Sequence, residues 1–494
     1  MCKSKILSFF EIKFMKKINF LLFLLLLLIP RVTVVAQSKN WTLEECVDYA
    51  IKNNISIKQI ELDIKTSAVE KKAAIGNFLP TANASASHSW NIGLNQNITT
   101  GLLENQTTQF TSAGLNSSVD IYNGLQNHNR LRRANLSKVA SQYQLDKMKD
   151  DVSLNVASAF LQILFNKENI KVQKEQLAFD EKQLKRTEEF VNVGSIPKGD
   201  LLDVKATIAS DKQRLVAAEN ALFLSKLSLS QLLQIEDFQN FDIAETVYNV
   251  NESPVSVQTP EAILAKAKEE RVELKIAKTN LEIAERDVKI SKGTYQPTLS
   301  GFYNFSTRAS YSDRVVGYEL DAANPTSIIG QVQGSGDNVI QPNFSPVLGN
   351  PNSLMDQFSD NKGHSYGLQL NIPIFNGFAA RNNVTRSKIA LERSQISMQQ
   401  AELDLERSVY NAITDAKGAL NSYESASSAL AARQEAFNYA KEKFTVGMMN
   451  TFEFNQAQTL FNNTQSEVLR TKYDYIFKIK IVEFYFGIPI TQKQ

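Results

Sequence analysis

The chain is poor in the residues that interrupt or crosslink a backbone. Its 494 residues include 12 prolines, 20 glycines, 3 histidines and 2 cysteines. Average usage is about 5% proline and about 7% glycine, so the shortage favours long uninterrupted helices. Past residue 36 the only cysteine is Cys46. An exported chain with one cysteine has no intrachain disulfide and must be held by packing and assembly. Cys46 is expected to be a small buried apolar residue on the first helix. His88, His128 and His364 fall in separate segments without ligand-like spacing, which argues against a histidine metal site. Neither a phosphate-cradling loop nor a Ser/His/Asp arrangement stands out. No enzyme constellation and no cofactor motif is expected.

Charge of one sign is also scarce: the formal net charge is +2. Much of the positive excess sits at the N-terminus. Lys16 and Lys17 precede an apolar run from Ile18 to Ile29, broken only by Asn19, and Val34-Val35-Ala36 offers a cut before Gln37. Residues 1–36 read as a secretory signal, too short in its apolar part for a confident membrane span. Either Met1 or Met15 could be the start. An uncleaved anchor is the competing reading, and the cut carries no cysteine, so there is no sign of a lipoprotein anchor. Without six basic residues and one acid in that segment, the remaining chain carries about −3, which gives no support to nucleic-acid binding.

What the chain does have is an internal duplication. Gly124 to Gly194 and Gly377 to Gly447 both span 70 residues and are offset by 253. The first repeat is expected over 37–258 and the second over 259–494. Thr42-Leu43-Glu44 and Thr259-Pro260-Glu261 open helices with capping and dipole-compatible residues. Helical periodicity runs to Pro80 and Pro297, where proline ends the helix. Alternating segments follow, giving two strands within 81–122 and two within 298–376. Thr81–Asn91 places Ala82, Ala84, Ala86, His88 and Trp90 on one face. Residues 112–121 place Ala113, Leu115, Val119 and Ile121 together. Leu299, Tyr303 and Phe305 share a face, as do Tyr366, Leu368, Leu370, Ile372 and Ile374. Strands of about 9–11 residues with one apolar side suit an outer-membrane barrel; a half-buried soluble sheet is the alternative. The second connection is richer in Gly, Pro, Asn and Ser, as in Gly349-Asn350-Pro351-Asn352, and reads as a surface loop.

Long helices then follow at 125–193 and 378–446, with return helices at 200–235 and 453–486. A straight helix of that first length measures about 100 Å at 1.5 Å per residue. Ile170, Leu177, Leu184 and Val191 are matched by Tyr423, Leu430, Phe437 and Phe444. Seven-residue spacing makes a left-handed coiled-coil seam, narrow enough for a hairpin standing in water. Gly194 and Gly447 end the helices and reverse the chain. Four strands cannot close a barrel, and an open edge in lipid leaves backbone groups unsatisfied, so oligomerisation is required.

The double repeat, the strand-to-glycine segments at 120–124 and 373–377 and the Val-Gly tips resemble TolC-type outer-membrane efflux proteins over about 41–490. The resemblance implies an α+β membrane protein: a homotrimer with a twelve-stranded barrel in outer-membrane lipid and a long α-helical barrel in the periplasm. It implies a passive export channel of a tripartite efflux or type I secretion system, working with a periplasmic adaptor and an inner-membrane pump. Adaptor docking maps to Val193, Gly194 and Ser195, and to Val446, Gly447 and Met448, with Met448 and Met449 expected as exposed apolar contacts; these positions could also serve only to turn the chain. The family's gate acids map to Glu453 and Gln456, with Asp200 and Asp203 at the same steps in the first copy. They could equally cap the return helices. The family's tyrosine and arginine lock maps to Phe444 and Met449, which cannot form it, so apolar packing is expected to close the tip, or the tip to open more easily. The competing reading is a periplasmic adaptor or structural coiled coil without a barrel. The exported substrate and the particular pump are not readable from the chain.

Overall fold

The computed structural model describes residues 40–97, 101–246, 248 and 253–490; the expected signal at 1–36 lies outside them. Each repeat begins with a helix pair rather than one continuous helix. In the first, α1 (Leu43–Asn53) and α2 (Ile55–Gly76) meet at Asn54, whose side chain caps the second helix by accepting from the Ser56 amide. Thr42 and Glu45 form a reciprocal capping box at the start of α1. The short strand β1 (Asn40–Trp41) pairs in parallel with β4 (Asp242–Ile243) beside this pair. In the second repeat the corresponding break, between α5 (Pro260–Glu270) and α6 (Val272–Gly293), falls at Arg271. The expected unbroken helices at 42–79 and 259–296 are therefore corrected. Both break residues have extended backbone, with ψ near 130°; Asn54 caps the helix after it with its side chain, whereas Arg271 does not.

Four strands form one antiparallel sheet in the order β10-β5-β3-β2. They are β2 (Thr81–Gln96), β3 (Leu103–Asn123), β5 (Thr298–Ser310) and β10 (Gly363–Asn371). The register sets Ala84 opposite Leu115, Leu115 opposite Phe305, Val119 opposite Gly301 and Gly301 opposite Leu368. Paired residues share a face, so the apolar sets read from alternation form one continuous surface. That surface is uncovered in the single chain: Tyr366, Leu368, Leu370 and Ile374 are all exposed. A bulge at Ile121, between Asp120 and Tyr122, shifts the β3–β5 register at its helical end.

Two expectations change here. β2 and β3, at 16 and 21 residues, continue as a ribbon past the length needed to cross lipid. The stretch between β5 and β10 is not plain loop. It folds as two nested antiparallel pairs, β6 (Arg314–Leu320) with β9 (Phe344–Gly349) and, between them, the hairpin of β7 (Thr326–Gln331) with β8 (Asn338–Pro342), followed by the short helix α7 (Leu354–Asp360). The turn-rich segments supply the bends, while Val315, Ile328, Ile340 and Leu348 supply cross-strand pairs that composition alone does not reveal.

The strands feed the two long helices, α3 (Gln126–Asn192) and α8 (Ala379–Thr445), each 67 residues and about 100 Å long. Each begins after two successive left-handed residues, Gly124-Leu125 and Gly377-Phe378. The asparagine before each glycine caps the helix: Asn123 Oδ1 accepts from the Asn127 amide and Asn376 Oδ1 from Ala380. The return helices are α4 (Lys198–Leu233) and α9 (Thr451–Phe486). Two similar cores hold the middle of the rod. Cys46, Ala50 and Ile57 pack with Val152, Val156 and Leu229 in one. Ile263, Ala267 and Leu274 pack with Leu405, Val409 and Val482 in the other. Each residue of the second set stands at its repeat-equivalent position, and Cys46 is fully buried on α1.

Candidate functional site at the helical tip

Far from the sheet, both long helices end in the same way. Val193 and Val446 are the C-terminal caps of the two helices, followed by Gly194 at φ 76° and Gly447 at φ 78°. The Ser195 amide donates back to Phe190 O (2.9 Å) and Gly194 to Val191 O (3.0 Å). Met448 donates to Lys443 O (2.8 Å) and Gly447 to Phe444 O (3.2 Å). This paired geometry satisfies the last carbonyls and needs a left-handed residue, which glycine supplies without strain. The Ser195 hydroxyl also donates to Phe190 O. Val193, Val446 and Met448 are 76%, 69% and 77% exposed, so three apolar side chains stand in water at the two turns.

Met449 departs from expectation. It is partly buried against Phe437, Ala440 and Phe454, because Asn450 caps α9 by accepting from the Glu453 amide and the tight turn folds Met449 inward. Phe444 is half-buried and stacks on Phe454. Phe437 stacks on Phe461 at 5.2 Å, and Phe179 of α3 meets the Phe437 and Phe454 rings edge-on and tilted. Phe454 is 1% exposed at the centre of this cluster. Six aromatic or sulfur-bearing side chains thus tie the α8–α9 hairpin to itself and to α3.

The candidate gate acids are not brought together within one chain. Asp200 is half-buried in the first turn of α4, and Asp203 is exposed one turn on. Glu453 and Gln456 are exposed at the start of α9. Among the described residues no side-chain hydrogen bond or ion pair joins any of the four to another. Each pair has the three-residue spacing that puts both members on one helix face, so Asp203 of the first hairpin and Glu453 of the second face solvent near the tip, with Asp200 half-buried beside Asp203.

Sequence reasoning missed the residues that fasten the hairpins together. Asp180 of α3 and Asp211 of α4 are 3% and 2% exposed. Asp180 accepts from Gln458 Nε2 of α9 and from Gln176 Nε2, both at 2.5 Å. The available signal was position. Asp180 and Thr187 lie three residues beyond the seam members Leu177 and Leu184, where a coiled coil turns its second apolar residue inward.

The family described as "Outer membrane efflux protein" matches residues 46–233 and 263–477 of the chain. The outer membrane protein TolC of Vibrio cholerae serotype O1 is 22% identical over 403 residues, which cover 78% of this chain and 79% of TolC. The CmeC outer membrane channel of Campylobacter jejuni superposes with a TM-score of 0.72 at 19% identity, over 91% of this chain and 87% of CmeC. The outer membrane protein VceC of Vibrio cholerae superposes with a TM-score of 0.70 at 13% identity, over 91% of this chain and 96% of VceC.

Proposed function

The chain belongs to the outer membrane efflux protein family, and from that premise we propose that three copies form a passive export duct whose inner end is closed by aromatic packing at the helical tip. It is an outer-membrane channel with its helical barrel in the periplasm. The family is one of ducts, not of enzymes, and we assign this chain no catalytic role.

The observation that carries the reading is the uncovered four-stranded sheet joined to helices of about 100 Å. Among the described residues, neither edge of that sheet, β2 or β10, is paired with a further strand. In lipid each unsatisfied backbone group costs several kcal/mol, and pairing β10 of one copy with β2 of the next removes the edges. Three copies supply twelve strands, enough for a water-filled lumen, whereas eight would be filled by side chains. A periplasmic adaptor without a barrel has no use for an apolar sheet face with both edges open, so that alternative loses its support.

At the tip, Val193, Val446 and Met448 offer exposed apolar contacts to the helical hairpin of an adaptor, which would link the duct to an inner-membrane pump or secretion machine. Methionine suits a surface that must accept an imperfectly matched partner. Asp200, Asp203 and Glu453, repeated three times about the axis, form rings of negative charge that favour cations.

Oligomer mass and single-channel conductance of the detergent-extracted protein in planar bilayers test the reading. A trimer with small cation-biased steps is expected. A water-soluble monomer that never inserts would overturn it.

A further inference from the structure

Just above the aromatic cluster, three helices meet at a polar point inside an otherwise apolar contact. α3 contributes Asp180 and Gln176, α4 contributes Asp211 and Arg214, and α9 contributes Gln458. Gln458 stands four residues after Phe454, on the same face of α9, so the aromatic cluster and the polar point form one continuous stripe. Gln458 is 2% exposed, like Asp211. Asp211 Oδ2 and Gln458 Oε1 are both buried with no hydrogen-bond partner among the described residues. Among the described residues, the cation beside the acids is Arg214, 3.5 Å from Asp211 Oδ1 and itself 43% exposed. From α8 the facing charge is Lys441, which is exposed and lies over the Phe179 ring at 5.9 Å.

Two ionised carboxylates in such a place repel at close range without full compensation, whereas one proton between them turns the repulsion into a hydrogen bond. We propose that a single proton held between Asp180 and Asp211 fastens α4 to α3 beneath the seat of α9, and that its loss loosens that seat and makes the tip easier to open. Burial and the neighbouring Asp180 carboxyl push the Asp211 carboxyl up to about 7, against the opposing pull of Arg214. A proton bound more tightly in the fastened state stabilises that state at low pH, and the advantage fades as pH rises through the raised value. The tip is thus tighter in an acidified periplasm and looser at alkaline pH. Asp180, Asp211 and Gln458 act as positioning residues for the gate; none touches cargo.

The inference rests on the duct reading, so its test has one readout that needs no conduction. Hydrogen exchange of the α9 amides over 454–462, corrected for intrinsic rate, is followed on the full trimer from pH 5.5 to pH 8.5, alongside single-channel open probability. In the wild type, protection should fall about tenfold as pH rises, by proton linkage, and open probability should rise over the same range. Asp211→Asn keeps the shape and supplies a permanent donor, so both profiles should be flat at the low-pH level; Asp180→Asn gives an independent check should the first variant fold poorly. A wild type with flat protection, or an Asp211→Asn profile that follows the wild type, would overturn the proton fastening. A pH-dependent exchange profile in a trimer that never conducts would keep the fastening and sink the duct reading.

Discussion

The Phe444 ring lies almost flat on the Phe454 ring, with centroids 4.5 Å apart and planes 15° from parallel. Phe444 is at the end of α8 and Phe454 in the first turn of α9, so the contact closes the α8–α9 hairpin at its turn. The contact is apolar, at the position where the resemblance maps the family's tyrosine and arginine lock. Offset aromatic stacking adds about 0.5–1.5 kcal/mol beyond area burial. Removing a buried phenylalanine altogether costs about 3–5 kcal/mol. Phe454→Ala should therefore raise open probability and expose the tip to protease, with Phe444→Ala doing so less because Phe444 is only half-buried. Both are read from single-channel records and from the rate of cleavage near residues 446–450. Variants that conduct and resist cleavage like the wild type would show that the tip is closed by something else.

The two strand-to-helix glycines should respond unequally to alanine. Gly124 has φ 66°, and a Cβ there would lie 2.3 Å from the carbonyl oxygen of Gly293. Gly377 has φ 61° but open space around it. Gly377→Ala carries only left-handed strain, about 1–2 kcal/mol. Gly124→Ala adds a collision with backbone and forces α3 away from α6. We expect the trimer of Gly124→Ala to dissociate at clearly lower temperature than that of Gly377→Ala, as followed on heated gels. Equal loss would mean that the α3–α6 approach is not needed for assembly.

These glycines also show what was legible in the chain. Their spacing marked the repeat, the ends of the strands and the direction of the long helices, because an Asn-Gly step followed by a helical pattern has few conformations open to it. Alternation placed Ala84, Leu115, Phe305 and Leu368 on one sheet face, and the register joins them. The breaks at Asn54 and Arg271 were hidden, since both residues are compatible with a helix and only tertiary partners select the extended backbone. Arg271 is held by Glu273 and Asp150 and lies over the Phe484 ring at 3.9 Å, all contacts set by the fold. The nested pairs between β5 and β10 were hidden because their turns dominate the composition. At the tip, the glycine reversals were readable from one residue each, while the Asp180–Gln458 bond joins residues 278 apart in sequence, on different helical hairpins.

Acid should weaken the anchoring of β4 through Asp242. Burial alone would raise its carboxyl, but hydrogen bonds from Lys167, the Ile243 amide and Lys226 outweigh that and hold it below the usual carboxylate value. Lys167 Nζ lies 2.7 Å and Lys226 Nζ 3.1 Å from Asp242 Oδ1. A carboxyl depressed by folding contributes stability that is complete above its unfolded value and is lost as pH falls through the folded one. The thermal midpoint of wild type should thus drop below about pH 4, the range of an unperturbed aspartate. Lys167→Met should be less stable at pH 7, and its deficit should narrow as the pH falls through that range. A deficit that stays constant across pH would assign the loss to packing of the lysine stem.

Glu453 has two possible duties that one pair of measurements separates. It sits in the first turn of α9, where a carboxylate favours the helix N-terminus by about 0.3–1 kcal/mol. It is also exposed near the tip, as Asp203 is on α4. A charge that only serves its own helix changes stability and leaves ion flow alone. A charge in a ring about the axis changes the reversal potential, most strongly at low salt, because exposed charges are screened over about 10 Å at 0.1 M. Replacing Asp203 with Asn and Glu453 with Gln together should cut the cation-to-anion permeability ratio several-fold toward unity, while the thermal midpoint falls only slightly. Restoring either carboxylate alone should recover part of the selectivity, since the two lie on different hairpins of the same chain. An unchanged reversal potential with a lowered midpoint would confine both acids to helix capping and remove them from the gate.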